Sequence, residues 1–144
     1  MYLVDTDVIS AGAPSKGMVS TELLGWMDRN SQRLFLSAIS VAEIEGGIAK
    51  ARREGARRKA ARLEEWLETL LHLYGSRVLP FDVPAARIAG KLSDRARSKG
   101  ASTGFADLAI AATAAAHDLL VLTRNLRHFA PLEISVHNPF ESLP

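Results

Sequence analysis

Apolar and polar residues alternate along the chain in two different rhythms, and the switches between them predict its elements. Short apolar runs at Tyr2–Val4, Leu34–Leu36, Arg77–Pro80, Leu119–Leu122 and Glu133–Val136 have the length of buried strands. Between them lie segments with helical spacing. One runs around Met18–Asn30 with Leu23, Leu24 and Met27 in phase, after the breakers Gly12, Pro14 and Gly17. A second begins near Val41, and a long one over Arg57–Leu73 sets Leu63, Trp66, Leu67 and Leu70 on one face before Gly75. Asp82 reads as the N-cap of a helix over Val83–Lys99, with Pro84 in its first turn and Gly100 past its end. The last helix is expected over Ala106–His117, turning through Asp118 into the fourth strand. Five short strands separated by helices predict an α/β fold, a three-layer α/β/α sandwich around a mostly parallel sheet of about five strands.

Length and composition narrow this picture. At 144 residues the chain is expected to be a single domain, residues 1–144, with no repeat or linker. With 47% apolar and 24% charged residues it has the composition of an ordered globular protein. It has no cysteine, so disulfide frameworks, thiolate zinc sites and cysteine nucleophiles are excluded; this suits a reducing, cytoplasmic setting. The start on MYLV offers no basic leader, and the longest apolar run, Leu108–Ala116, is too short to span a bilayer, so no membrane partner is expected.

Net charge is only +2, yet Lys50–Arg62 gathers seven of the eighteen lysines and arginines against one acid, Glu54. Such a run is either a solvated helix face or a phosphate-attracting patch with salt-dependent affinity for nucleic acid. By itself it decides nothing.

In an α/β sheet, ligands bind beyond the carboxyl ends of the strands, so the polar residues at those ends are the candidates. Asp5 follows the first strand and either starts a turn or faces a ligand, with Thr6 and Asp7 behind it. Glu43 sits in Ser40-Val-Ala-Glu43, the pattern of a capping box that would begin the helix after the second strand. Asp107 falls in a helix's first turn, where an acid suits the dipole, but its neighbours Phe105, Ala106, Leu108, Ala109 and Ile110 are apolar. A carboxylate set among such residues needs a partner or a cation. If Asp5, Glu43 and Asp107 converge, their repulsion must be relieved by protons or by a hard cation such as Mg²⁺ or Mn²⁺. Phosphate-binding, dinucleotide-binding, serine-hydrolase and zinc-protease motifs are all missing, and His72, His117, His128 and His137 are scattered.

MYLVDTDVIS, LFLSAISVAEIEGGI, LPFD before a helix, and ADLAIAATAAAHDLLVLTRNLRHF together resemble the PIN-domain ribonucleases, in particular the VapC-type toxins of toxin–antitoxin pairs. The resemblance runs from residue 1 to the HNPF tail at 137–140. It implies that Asp5 and Asp107 bind Mg²⁺, with Mn²⁺ as a substitute, and that Glu43 completes an acidic catalytic triad directly or through water. Asp7, Thr123 and Asn125 would then stand next to the ligands or the substrate. It further implies hydrolysis of RNA by metal-activated water, a homodimer, and a small antitoxin protein that blocks the groove, in a complex that can be larger still. Many relatives carry a fourth acid where this chain has Asn125, and an amide weakens the hold on a second metal.

Two rivals fit some of the same residues. Asp5-Thr6-Asp7-Val8 also resembles the D-x-D signature of haloacid-dehalogenase-like phosphatases, with Asp5 as nucleophile and Asp7 as acid or base. That chemistry requires a late acidic pair, and after Thr123 only Glu133 and Glu141 are acidic. A non-enzymatic basic module binding RNA or a partner would use Lys50–Arg62 and leave the acids as helix caps.

Overall fold

The computed structural model describes residues 1–14, 17 and 20–144. Five strands form one sheet: β1 (Tyr2–Val4), β2 (Leu34–Ser37), β3 (Val78–Leu79), β4 (Leu120–Leu122) and β5 (Val136–His137). Their order is β3-β2-β1-β4-β5, and every pairing is parallel. The chain builds outward from β1 through β2 to β3, returns to lay β4 against the other side of β1, and ends at β5. The reversal of direction therefore falls at β1, where a parallel sheet opens its ligand crevice.

Helices cover both faces. They are α1 (Thr6–Ile9), α2 (Thr21–Arg29), α3 (Ala38–Arg53), α4 (Arg57–Tyr74), α5 (Val83–Ser98), α6 (Phe105–Ala116) and α7 (Leu126–Phe129). Strand alternation divides the core in two. Val4, Leu34, Leu36 and Leu122 pack with Leu23, Trp26, Ile44, Ile48 and Leu67 on one face. Leu3 and Val121 pack with Leu92, Ile110, Phe129 and a group of alanines on the other. Helix α6 is buried on nearly every side, from Ala109 through Ala114, as a helix without a polar face must be.

Most expected elements appear with shifts of one to three residues at their ends. The helix expected around Met18–Asn30 is α2, capped by Ser20; Met18 and Val19 lie outside the described residues. Asp82 caps α5 by accepting from the Ala85 N–H at 3.1 Å, and Gly100 closes it with φ +71°.

Two expectations are corrected. The final strand is Val136–His137, later than Glu133–Val136, because Glu133 takes a left-handed conformation (φ 53°) after the 3₁₀ turn Ala130–Leu132. The capping box Ser40–Glu43 does not form. Helix α3 starts directly off β2, with Ser37 as N-cap accepting from the Ile39 N–H at 3.1 Å. Ser40 is the third residue of the helix and Glu43 the sixth, so Ser40 is past the cap position and both side chains engage Thr6 instead.

Candidate active site at the carboxyl edge of the sheet

Strand register dictates what gathers at this edge. Val4 of β1 pairs with Leu36 of β2 and with Leu122 of β4, so the residues that follow them, Asp5, Ser37 and Thr123, end three adjacent strands in a row. All three are polar and buried. They share strand parity with Leu3, Phe35 and Val121, whose face is covered by α5 and α6, and α6 carries Asp107 in its first turn.

Asp5 is 4% exposed. Its Oδ1 accepts from the Thr6 N–H at 2.7 Å, which also makes it the N-cap of α1, and its Oδ2 accepts from the Thr123 hydroxyl at 2.7 Å. Capping and facing a ligand are thus compatible: each oxygen keeps a lone pair unused by these two bonds. Burial pushes the Asp5 carboxyl up to about 6, against the pull of the Thr123 hydrogen bond; the charges of Asp7 and Asp107 push the same way.

Asp7 accepts at Oδ2 from the Arg124 N–H at 3.0 Å and the Asn125 amide at 3.3 Å. It ties α1 to the loop after β4. Its Oδ1 is buried with no hydrogen-bond partner. Burial raises its pKa, the Arg124 backbone N–H and guanidinium lower it, and Asp107 adds repulsion. Asn125 also donates its backbone N–H to the Thr123 hydroxyl at 3.0 Å, so the amide in place of a fourth acid braces this corner.

Glu43 meets the cluster through Thr6. The Thr6 hydroxyl lies 2.6 Å from Glu43 Oε1 and 2.8 Å from the buried Ser40 hydroxyl. With one proton to give, it satisfies the carboxylate, and the Ser40 hydroxyl supplies the remaining bond. Glu43 itself is exposed. Asp107 is half-buried, and its Oδ2 lies 3.0 Å from Nδ1 of His128, an exposed residue of α7.

Every residue selected from the sequence therefore stands at this one edge: Asp5 and Thr123 at its centre, Asp7 and Asn125 beside them, Glu43 on the α3 side and Asp107 on the α6 side. Sequence reasoning missed three participants. Ser40 reads in the sequence as part of a cap, His128 as one of four scattered histidines, and Arg124 belongs to no pattern. A signal for His128 existed: Phe129 and Leu132, both fully buried, mark a turn of helix there that fixes where its neighbour points.

The donor set suits a hard cation. It is made of carboxylate and hydroxyl oxygens, one carboxyl is pushed up by burial and by the two neighbouring acids, and one buried carboxylate oxygen is unpartnered. Among the described residues no three Asp, Glu or His side chains converge tightly enough to enclose an ion unaided. An apolar groove of about 430 Å³ between α2 and α4, lined by Leu24, Met27, Leu70 and Leu73, includes none of the selected residues.

These acids gather at the carboxyl edge of a parallel α/β sheet, and comparison with known proteins gives the fold its family. The family model "PIN domain" matches residues 2–132, and the chain belongs to the PIN-domain family. It is 39% identical over 142 residues to "VapC ribonuclease Y4jK" of Sinorhizobium fredii, covering 98% of this chain and 99% of that one. It is 35% identical over 141 residues to "Toxin FitB" of Neisseria gonorrhoeae, covering 97% and 99%. Among solved structures, that of FitAcB from Neisseria gonorrhoeae superposes with a TM-score of 0.85 at 37% identity, covering 97% of this chain and 99% of that chain. A structure of FitAB bound to a DNA fragment superposes with a TM-score of 0.81 at 33% identity, over 97% and 96%.

Proposed function

We propose that the whole chain, as one domain, is a Mg²⁺-dependent endoribonuclease that hydrolyses RNA phosphodiester bonds, acting in the cytoplasm as the toxin of a toxin–antitoxin pair. The observation that carries this reading is Asp5: a buried carboxyl at the sheet's switch point, raised to about 6 and bordered by Asp7 and Asp107, in a chain whose relatives are named as a VapC ribonuclease and a toxin.

Asp5 and Asp107 are the residues that would hold the ion, with Mn²⁺ able to substitute for Mg²⁺. Bound there, a hard divalent cation supplies an activated water and neutralises charge on the phosphoryl oxygens. The protein's own groups do the positioning. Thr123 and the Thr6 N–H fix the Asp5 carboxylate while leaving a lone pair on each oxygen for the ion. His128 holds the Asp107 carboxylate from the solvent side. Glu43, oriented by Thr6, stands ready to accept a proton from the attacking water. Asn125 adds no charge where a fourth acid would, so the reading takes a single resident ion, any second one being completed by substrate phosphates.

In this reading the chain pairs with a second copy and with a small cognate antitoxin, a segment of which covers the acid edge. The basic run Lys50–Arg62 then meets either RNA or acidic antitoxin residues. Part of it is already neutralised: Lys50 faces Glu54 at 4.0 Å and Arg52 pairs with Glu64.

The test is Asp5→Asn. Loss of a metal ligand removes several kcal/mol of transition-state stabilisation, so RNA cleavage should fall by about a thousandfold. Far-ultraviolet circular dichroism should be unchanged, and Mg²⁺ should raise the thermal midpoint of the wild type only. RNA ends sequenced after induction of both forms would display the cleavage sites. An Asp5→Asn protein that still cuts RNA with Mg²⁺ would refute the reading.

A further inference from the structure

The acid edge is bordered on its β4 side by a pocket of about 470 Å³ lined by Arg124, Asn125, Leu126, Arg127, His128 and Glu141. We infer that this pocket is a phosphate subsite, which takes a backbone phosphate of the RNA strand next to the one being cut; the inference rests on the nuclease reading above and deepens it.

Four observations support this. The pocket is continuous with the acid site through two residues that serve both, since Asn125 and His128 line it while donating to Asp7 and holding Asp107. Its charge is right: two guanidiniums face one carboxylate, a positive bowl against the negative acid cluster. One guanidinium, that of Arg124, is preset, because it sits over the Phe140 ring, its Cζ 3.9 Å from the centroid. Stacking holds the planar fork while leaving its N–H edge free for phosphate oxygens. Finally, neither Arg124 nor Arg127 has a carboxylate partner among the described ion pairs, unlike Arg52 and Arg95, which face Glu64 and Glu133. A chain that needed these arginines only for solubility would have no reason to order one of them on an aromatic ring beside the reacting edge.

Topology gives the pocket a direction. β1 carries Asp5 at the centre, β2 leads to Glu43 on one side, and β4 leads to Arg124 on the other. A strand of RNA laid across the edge from Glu43 to Arg124 places its scissile phosphate over Asp5 and Asp107 and its next phosphate in the bowl. Glu141 opposes that phosphate, which gives the inference a prediction of opposite sign at the same site.

The test compares the full-length protein with Arg124→Gln/Arg127→Gln, with Glu141→Gln, and with a control, Arg29→Gln/Arg33→Gln. The control loses the same charge at the opposite edge, since Arg33 immediately precedes β2. The probe is a fluorescein-labelled 12-nucleotide single-stranded RNA followed by anisotropy across a salt series, with Mg²⁺-dependent cleavage of the same RNA measured alongside. Each phosphate contact on a single strand contributes about 0.7 to the slope of log affinity against log salt, so the double variant should lose roughly 0.7–1.4 of slope. Its KM should rise about tenfold with kcat little changed, while Glu141→Gln should bind more tightly and the control should follow the wild type. Wild-type slope and KM in the double variant would overturn the subsite and leave the nuclease reading standing. A wild type that neither binds nor cuts RNA would overturn both.

Discussion

The two flanks of the sheet are packed from different materials. On the face shared by α3 and α4 the core is made of large side chains, Trp26, Leu36, Ile48 and Leu67. On the face shared by α5 and α6 it is richer in alanine, with Ala89, Ala96, Ala111, Ala112 and Ala114 set among larger residues such as Ile110, Leu92 and Phe129. Large side chains keep a helix at a distance and can repack, whereas alanine faces bring backbones close and leave little slack. Each flank also delivers one acid to the edge. The alanine flank presents Asp107 on a helix clamped from all sides; the large-residue flank presents Glu43 on an exposed turn, tied in through one threonine. The tightly packed flank sets a fixed point of the site, and the looser one supplies an adjustable one.

If that contrast is right, the two acids should differ in consequence. Asp107→Asn should lower RNA cleavage by about a thousandfold, as for a lost metal ligand, and Glu43→Gln by about a hundredfold, as for a lost general base. Equal losses in single-turnover assays would erase the distinction.

The packing itself can be broken from either direction. Ile48→Ala should cost about 3 kcal/mol by opening a cavity in the large-residue flank. Ala112→Leu should cost about 2 kcal/mol by overpacking, and it alone should also depress cleavage, because it moves the helix that carries Asp107. Urea denaturation with the RNA assay reads both; an Ala112→Leu protein of wild-type stability would show that the alanine flank has slack after all.

The smallest effect concerns pH. The Asp5 carboxyl sits at about 6 in the folded protein and near 3.8 when unfolded, so the folded state holds its proton more tightly. Stability from this group is complete below the unfolded value and is lost as pH rises through about 6. Without metal, Asp5→Asn should therefore gain on the wild type by roughly 2 kcal/mol between pH 4 and pH 7. Mg²⁺ should shrink that gap at pH 7. A gap that stays constant with pH would mean that Asp5 titrates alike in the folded and unfolded chains.

Much of this architecture was legible in the residues. Strand-length apolar runs between helical ones predict the parallel sheet, and parallel strands buried on both faces have few other sequences available to them. Asp82, with Pro84 after it, marks its helix start by chemistry that tertiary packing did not override. The capping box misled because Ser37 and Ser40 both precede a helical pattern, and only the end of β2 decides which serine caps. Once Ser37 does, Ser40 and Glu43 are released to the active edge, so a local error hid a tertiary contact. The last strand was displaced by the left-handed Glu133, a conformation that a non-glycine sequence does not advertise. Partnerships such as His128 with Asp107 or Arg124 with Phe140 join segments far apart in sequence; no spacing rule reaches that far.

The parity shared by Asp5, Ser37 and Thr123 also carries a genetic consequence. A strand only three residues long addresses its terminal acid by counting, since each added or removed residue turns the next side chain to the opposite face. Insertion or deletion of a single codon between Tyr2 and Val4 would send the acid toward the wrong flank while leaving a hydrophobic strand behind. Substitutions there can drift among apolar residues, but the length of the segment is fixed. The register of the first strand is thus as much a part of this acid edge as the acid itself.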